Sequence, residues 1–402
     1  MIVQPTNKFK TTIISIRFKE KITKENVGLR ALLPNLMSAS TNKYKTRKAL
    51  TEALEALYGA TLNVRTTKLG LVSIMDFSIS FINQSFTAEP VFEEALEILH
   101  EVVYGHKNLP KKEFDLEKRL LLEKIASFEN DKTSFALSNM IETMFENETY
   151  AIRTSGKKED VEPITFEELN KYYKKCLKNN EIDVVVSGQV DDSLLEVVSK
   201  YFTPRNLKNL TLIDYEDKKV EALKNKTDFD TISQSKVNIG YRFPVRYKET
   251  DQIPALLFNT ALGGGVHSKL FLNVREKHSL CYYIASRFEP FKGFLYIYAG
   301  IDKQRVDLAL KVIDEQVLDL QTNLLSEDEL NLSKDAIINQ LKESQDSQGA
   351  SLSSLYLQVL LDNKLTLDEQ IERVSKVTPK EVLEVAQKLQ KDTLYILAPE
   401  VK

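Results

Sequence analysis

The sequence predicts an α+β protein built as two homologous α/β-sandwich domains, in each of which helices cover one face of a mixed β-sheet. Its 402 residues exceed the size at which a single hydrophobic core stops growing, so two domains are expected. Three segments of the first half also recur in the second half at nearly constant spacing. We predict domains at residues 1–205 and 231–402, joined by a polar linker at 206–230.

The first repeated element is a strand followed by a polar turn and an apolar helix. Residues 12–18 and 237–243 both alternate apolar and polar side chains, which is typical of a half-buried strand. The helices predicted after them lie at residues 29–38 and 253–263. Alternation also predicts a strand in the charge-poor stretch 69–88.

The clearest repeat is a pair of helices. Residues 113–125 match residues 329–341 at an offset of 329 − 113 = 216 residues, with apolar and charged positions largely coinciding. Further on, Thr165 and Thr378 each begin a Thr-x-x-Glu capping box, which predicts the start of a helix. Short apolar strands are predicted after these helices, at residues 182–187 and 393–397.

Composition excludes several classes of function. The net charge is only -3, and 55 basic residues are scattered among 58 acidic ones, so we expect no nucleic-acid groove. Cys176 and Cys281 lie far apart and form no Cys-x-x-Cys, which argues against a disulfide framework or a thiolate zinc site. We find no stretch apolar enough for a membrane span and no secretory signal pattern. A cytoplasmic protein is expected.

Residues 262–282 read LGGGVHSKLFLNVREKHSLCY. This segment closely resembles the second-half signature of the pitrilysin, insulinase and mitochondrial-processing-peptidase family, roughly LGGG-x-SSRLF-xx-VREKRGLAY. The resemblance implies that Arg275 and Tyr282 help to hold and polarise a substrate peptide at a partner's zinc site. A guanidinium and a phenol are suitable hydrogen-bond donors for that role. The alternative is structural: Arg275 only pairs with Glu276 or another neighbour, and Tyr282 only packs.

The glycine triplet in this motif, Gly263, Gly264 and Gly265, is not a phosphate-binding loop, because no Gly-Lys-Ser/Thr follows it. We expect these residues to supply a permissive backbone where two helices meet at a tight bend.

Active members of the family carry His-x-x-Glu-His on their first long helix, where two imidazoles bind zinc and the Glu acts as general base. The corresponding stretch here is GLRALLPNLM, residues 28–37. The three chemical positions are occupied by Ala31, Pro34 and Asn35. Neither a zinc ligand nor a base remains.

No other metal site is predicted. Glu117 or Glu123 could correspond to the downstream zinc-ligand Glu, but one carboxylate cannot hold zinc, and we expect a solvated helix residue. His100 and His106 are six residues apart, a spacing that does not place two ligands on one helix face. The last candidate metal ligands are His267, His278 and Cys281 in the Arg/Tyr motif. They occupy positions that vary in the family, so we do not expect them to bind a metal.

The resemblance therefore implies a short bacterial, non-catalytic, peptide-binding subunit of a heterodimeric zinc metallopeptidase. Its partner would be a homologous chain with His-x-x-Glu-His and the zinc, and the substrate would be an unfolded peptide. A second hypothesis is a stand-alone binding or scaffold protein, a homodimer in peptide transport, modification or immunity. A third is that the chain itself hydrolyses peptides at an unconventional site.

Overall fold

The computed structural model describes residues 1–207 and 210–400, so Lys208 and Asn209 of the predicted linker lie outside the described residues. The chain folds into two compact units, each containing one five-stranded sheet among the described residues. Unit 1 comprises Met1–Ser127, Ile152–Leu212 and Gln348–Val359, and unit 2 comprises Phe128–Ala151, Ile213–Ser347 and Leu360–Lys402.

The secondary structure follows the same order twice along the chain. The strands are β1 (Ile2–Pro5), β2 (Thr11–Lys21), β3 (Thr61–Leu69), β4 (Val72–Ile82), β5 (Glu181–Gly188), β6 (Lys224–Asp230), β7 (Ser235–Arg242), β8 (Cys281–Glu289), β9 (Phe294–Ile301) and β10 (Gln390–Pro399). The helices are α1 (Lys24–Ala39), α2 (Arg47–Ala56), α3 (Val91–Tyr104), α4 (Lys111–Ser127), α5 (Lys132–Met144), α6 (Lys158–Val161), α7 (Phe166–Asn179), α8 (Asp192–Tyr201), α9 (Gln252–Gly263), α10 (Val306–Thr322), α11 (Glu327–Ser344), α12 (Gln348–Leu360), α13 (Leu367–Lys376) and α14 (Pro379–Ala386).

The two sheets share one topology. Their strand orders are β1-β5-β2-β4-β3 and β6-β10-β7-β9-β8. The pairs β1–β5 and β6–β10 are parallel, whereas the other neighbours are antiparallel. The mixed sheets, their helical layers and the repeated order confirm the predicted fold class. Both predicted capping boxes are also present, at Thr165 and at Thr378.

The first strand of each sheet was not predicted, and β6 corrects the prediction of a linker over residues 206–230. Residues 224–230 pair with β10 along their whole length, Lys226 lying opposite Tyr395. This strand is at the sheet edge, most of its side chains are exposed, and apart from Phe229 its sequence is polar. Its hydrogen bonds to β10 define it as a strand, and hydrophobic alternation cannot reveal it.

Each unit has its main core between the sheet and a layer of helices. In unit 1, Ile16 and Phe77 face this layer and are fully buried with Leu36 of α1. Helix α1 packs on β3, β4 and α4. In unit 2, α9 packs in the same way on β8 and on α11. The repeated helix pair predicted from residues 113–125 and 329–341 therefore corresponds to α4 and α11, which support equivalent helices.

The opposite face of each sheet is covered by a helix from the other half of the chain. In unit 2, α5 places Met140 and Met144, both fully buried, over Gly240 of β7. In unit 1, α12 places Tyr356 over the guanidinium of Arg17, 4.0 Å from the ring centroid. The compact units consequently depart from the contiguous ranges 1–205 and 231–402, because each contains one helix that is distant in sequence.

Part of the predicted linker is fixed within unit 2 by buried charges. The Lys292 ammonium, with a side chain only 1% exposed, lies 2.7 Å from Asp214 and 2.5 Å from Glu148. Arg246 donates a hydrogen bond to the carbonyl oxygen of Asp214, at 2.7 Å. A buried cation requires such compensation. The chain after residue 212 is thus part of the folded unit.

None of the helices in residues 1–207 and 210–400 is long and apolar enough to cross a membrane.

The covering helix α5 should contribute strongly to the stability of unit 2. We expect Met140→Ala to lower the free energy of unfolding by about 2–5 kcal/mol, because it opens a cavity against the sheet. Denaturant unfolding followed by circular dichroism measures the change. The control is Leu332→Ala on α11, whose side chain is 50% exposed and should matter little. Equal effects of the two substitutions would contradict the role assigned to α5.

Candidate functional site

Helix α1 contains Ala31, Pro34 and Asn35, which we predict to correspond to the zinc motif of active relatives. Thr23 caps its N-terminus in a capping box with Asn26. Ala31 and Pro34 are buried, and Asn35 is half-buried. None of these side chains can bind zinc in the way that His or Glu does, and Pro34 has no backbone N–H to donate.

The protein compensates for the proline in the middle of this helix. Pro34 cannot hydrogen-bond to the carbonyl oxygen of Arg30, which lies four residues earlier. The Thr66 hydroxyl of β3 donates to that oxygen instead, at 2.8 Å. The helix therefore remains intact where the zinc motif would be, and its packing is that of an ordinary structural helix.

The residue before Ala31 is a buried arginine that sequence reasoning did not single out. The Arg30 side chain is completely buried and donates to the carbonyl oxygens of Phe18 at 2.7 Å and Ser73 at 2.9 Å. It also lies 3.1 Å from Glu20. Burial by itself would raise the pKa of Glu20, but the Tyr172 hydrogen bond and the Arg30 charge outweigh it and lower this pKa. These contacts fix α1 on the sheet.

Of the two glutamates considered as remnants of the zinc site, Glu117 corrects our expectation. It is buried rather than solvated, and it forms an ion pair with Arg47 at the start of α2. Glu123 is exposed, as expected, 3.7 Å from Arg119. Within the described part of the chain, no group of three or more His, Cys, Asp or Glu side chains could hold a metal. The residues at this position do not fit zinc.

The two histidines of the first half have structural surroundings. His106 is buried and donates from Nε2 to the carbonyl oxygen of Met37, at 2.9 Å, near the end of α1. His100 packs against the aromatic rings of Tyr104, Tyr201 and Phe202. Burial lowers the pKa of both imidazoles. Among the described residues, neither histidine belongs to a group of three side chains that could hold a metal ion.

Arg275 lies in a π-helical segment, residues 270–277, that leads into β8. Such segments are rare and frequently occur at functional sites. The side chain is 42% exposed, and its guanidinium carbon lies 4.6 Å from the centroid of the Phe271 ring. Its contact with Glu276 is a long ion pair of 3.7 Å. The phenyl ring thus supports the guanidinium while leaving its hydrogen-bond donors accessible.

Tyr282 lies at a break in the pairing of β8 with β9. Cys281 pairs with Ile301 and Tyr283 with Gly300, so Tyr282 is the extra residue of a β-bulge. Bulges redirect side chains next to active sites. Tyr282 is 60% exposed and so does not serve to fill the core. Burial raises the pKa of the adjacent Cys281 thiol to about 11, although the nearby Arg275 charge opposes this rise. Cys281 is therefore a neutral thiol.

The glycine triplet lies where α9 ends against β8. A methyl group at Gly263 would come within 2.5 Å of the backbone nitrogen of Ser286, and one at Gly264 would come within 2.6 Å of the Cα atom of Thr260. Gly265 is less restricted, its nearest neighbour being the His267 ring at 3.3 Å. The first two glycines are consequently required by close packing rather than by phosphate binding.

The chain belongs to the M16 peptidase family. Residues 21–158 match the family described as insulinase, peptidase family M16, and residues 163–337 match the peptidase M16 inactive domain. YmfF of Bacillus subtilis (strain 168), described as a probable inactive metalloprotease, is 32% identical over 98% of this chain and 94% of its own length. This chain is an inactive homologue of the M16 metallopeptidases.

Other relatives support the fold over the whole chain. A conserved protein from Enterococcus faecalis V583 has a crystal structure that is similar with a TM-score of 0.92 and 29% identity, covering 100% of this chain and 96% of that one. YmxG of Bacillus subtilis (strain 168), described as an uncharacterized zinc protease, is 23% identical over 73% of this chain and 72% of its own length.

The packing of Gly263 yields a stability prediction. Gly263→Ala should lower the free energy of unfolding by roughly 1–3 kcal/mol, because the added methyl group meets the backbone of β8 and cannot be accommodated by a side-chain rotation. The control is Gly349→Ala, where a side chain meets nothing within 4 Å. Thermal unfolding of both variants measures the difference. Destabilisation by the control alone would refute the close-packing explanation.

His106 predicts how stability depends on pH. Its folded pKa is lowered from the ordinary value of 6.5, so the unfolded chain binds more protons at mildly acidic pH. The free energy of unfolding should therefore fall as the pH decreases below about 6.5. His106→Gln keeps a hydrogen-bond donor but does not titrate, and it should flatten this decrease. Denaturant titrations between pH 5 and 8 test it, and an unchanged slope would contradict it.

Proposed function

We propose that this protein is the non-catalytic, peptide-binding subunit of a heterodimeric zinc metallopeptidase that acts in the cytoplasm. One observation carries the proposal: Arg275 and Tyr282 remain accessible on unit 2, whereas Ala31, Pro34 and Asn35 leave α1 of unit 1 without zinc ligands or a general base. A chain with this combination can bind and polarise a peptide but cannot activate water. The missing chemistry has to come from a partner.

The partner we propose is a homologous chain that carries His-x-x-Glu-His and the zinc. Bacillus subtilis (strain 168) contains both a relative described as a probable inactive metalloprotease and one described as an uncharacterized zinc protease. The coexistence of the two kinds of chain in one bacterium supports a pair in which only one member binds metal.

Within this pair, Arg275 and Tyr282 would donate hydrogen bonds to the substrate. A guanidinium offers a rigid fork of N–H donors, and a phenol adds one O–H donor. Donors that point at the oxygen on which negative charge develops stabilise the transition state of peptide hydrolysis. The Phe271 ring beneath Arg275 limits the motion of the guanidinium, and the bulge at Tyr282 directs the phenol outward.

The substrate we propose is an unfolded peptide segment. Strands β3 and β8 are the final strands of their sheets, so each has a neighbour on one side only among the described residues. An extended peptide can pair with such an edge through main-chain hydrogen bonds. A folded protein cannot do so without exposing a free strand.

The decisive experiment mixes this chain with a zinc-bearing homologue from the same cell and measures cleavage of a quenched peptide. Arg275→Ala and Tyr282→Phe should each lower kcat/KM by roughly 10²–10³-fold, the usual effect of losing one transition-state donor. The control is Lys277→Ala, an exposed cation in the same segment. Activity that is insensitive to both substitutions would remove the proposal.

Two further results would select the other hypotheses. If the chain isolated from cell extract is a homodimer without any zinc-bearing relative, the stand-alone binding or scaffold function replaces the subunit function. If the pure chain contains stoichiometric zinc and its peptide cleavage is inhibited by a chelator, it is an enzyme by itself.

A further inference from the structure

The two sheets have equivalent edge strands, but the side chains around these edges differ in chemistry. In each sheet we consider the face turned away from the main helical layer. Next to the β3 edge this face is polar: Asn63 of β3 lies opposite Ser78 of β4, and Arg65 opposite Asp76. Next to the β8 edge it is aromatic, with tyrosines on both β8 and β9.

Three tyrosines form a continuous row on this face of unit 2. The ring centroids of Tyr283 and Tyr298 are 6.2 Å apart, and those of Tyr298 and Tyr296 are 6.0 Å apart. We call Tyr283, Tyr296 and Tyr298 the tyrosine row. The hydroxyl oxygen of Tyr283 is hydrogen-bonded to that of Thr133, at 3.2 Å, which fixes the outer ring. Tyr283 and Tyr298 are half-buried, so each residue is partly exposed to solvent.

A small residue leaves a gap in this row. Ala285 lies two residues after Tyr283 on the same face of β8 and directly opposite Tyr298. It is half-buried, and the next residue on that face is the exposed Arg287. A strand added to the outer side of β8 would place one of its side chains beside Ala285, within reach of Tyr283 and Tyr298. A large flat side chain in this position could contact both rings.

Cations flank the tyrosine row. The Lys236 ammonium lies 5.3 Å from the centroid of the Tyr283 ring. Arg287 interacts with the Tyr296 phenol, and this interaction raises the pKa of the guanidinium. Arg287 is also exposed, and it projects on the same face as the gap. A carboxylate on the peptide residue opposite Arg287 would complement this charge.

We propose that the β8 edge is a subsite for an extended peptide segment. The segment carries an aromatic side chain and, two residues before or after it, an acidic side chain. The aromatic ring would lie over Ala285 against Tyr283 and Tyr298, and the carboxylate would pair with Arg287. This inference rests on the proposed peptide-binding function, and it adds a side-chain preference that main-chain pairing cannot provide. The polar edge at β3 has no comparable aromatic surface and would not share the preference.

The test measures binding of labelled peptides to the full chain by fluorescence anisotropy. One peptide of about ten residues has a central Phe and a Glu two residues away on either side, and its other residues are Ser or Thr. A second has Ala in place of Phe. We expect the Phe peptide to bind roughly threefold to tenfold more tightly, the range for one well-placed aromatic contact.

Ala285→Phe fills the gap and should abolish the preference, so that the Phe and Ala peptides bind this variant with equal affinity. The matched control is Asn63→Phe, which adds an aromatic ring at the exposed β3 edge and should preserve the preference. Should Ala285→Phe fail to fold, Tyr298→Leu removes one ring of the contact and should reduce the preference by itself. Thermal unfolding verifies each variant.

The outcomes separate this inference from the function on which it depends. If both peptides bind equally well to the parent chain, the aromatic subsite is refuted, but peptide binding stands. If neither peptide binds, both are refuted for the isolated chain. If the preference persists in Ala285→Phe and disappears in Asn63→Phe, the aromatic subsite is at the other edge, and our assignment is wrong.

Discussion

The fold depends on one constraint: each five-stranded sheet has two faces, and both need to be covered. The helical layer of each unit covers one face, and a single helix covers the other. In unit 2 this helix is α5, whose methionines close an apolar and aromatic surface. In unit 1 it is α12, and the surface beneath is polar, with Gln348 hydrogen-bonded to both Thr11 and Ser187. A duplicated topology thus supports two chemically different faces.

The contacts of α1 explain how the fold is maintained without a zinc site. Helix α1 keeps its capping box, its packing on α4 and its buried Arg30, all of which are independent of zinc. Glu117 is paired with Arg47 in the helical layer and needs no metal to balance its charge. Because those contacts hold the helix, Ala31, Pro34 and Asn35 do not need to bind a metal to keep α1 in place.

Unit 2 shows the opposite pattern, because its unusual features serve no evident structural need. A π-helical segment, a β-bulge and two exposed side chains follow one another between residues 270 and 283. The π-helical segment and the β-bulge are irregular, and such features are frequent next to functional sites. The tyrosine row next to the same edge extends this region along the sheet. Together these features make the β8 side of unit 2 the chemically distinctive surface of the protein.

The resemblance to the family indicated the missing zinc ligands on α1. Local patterns in the sequence were sufficient for the duplicated strands and for the capping boxes at Thr165 and Thr378. Each of these depends on residues that are close together along the chain. The strands β1 and β6, the burial of Glu117 and the placement of α5 and α12 could not be predicted in this way. They depend on partners more than 60 residues away, such as Arg47 for Glu117. Hydrophobic periodicity records which face of an element is buried, whereas only the tertiary structure decides what buries it.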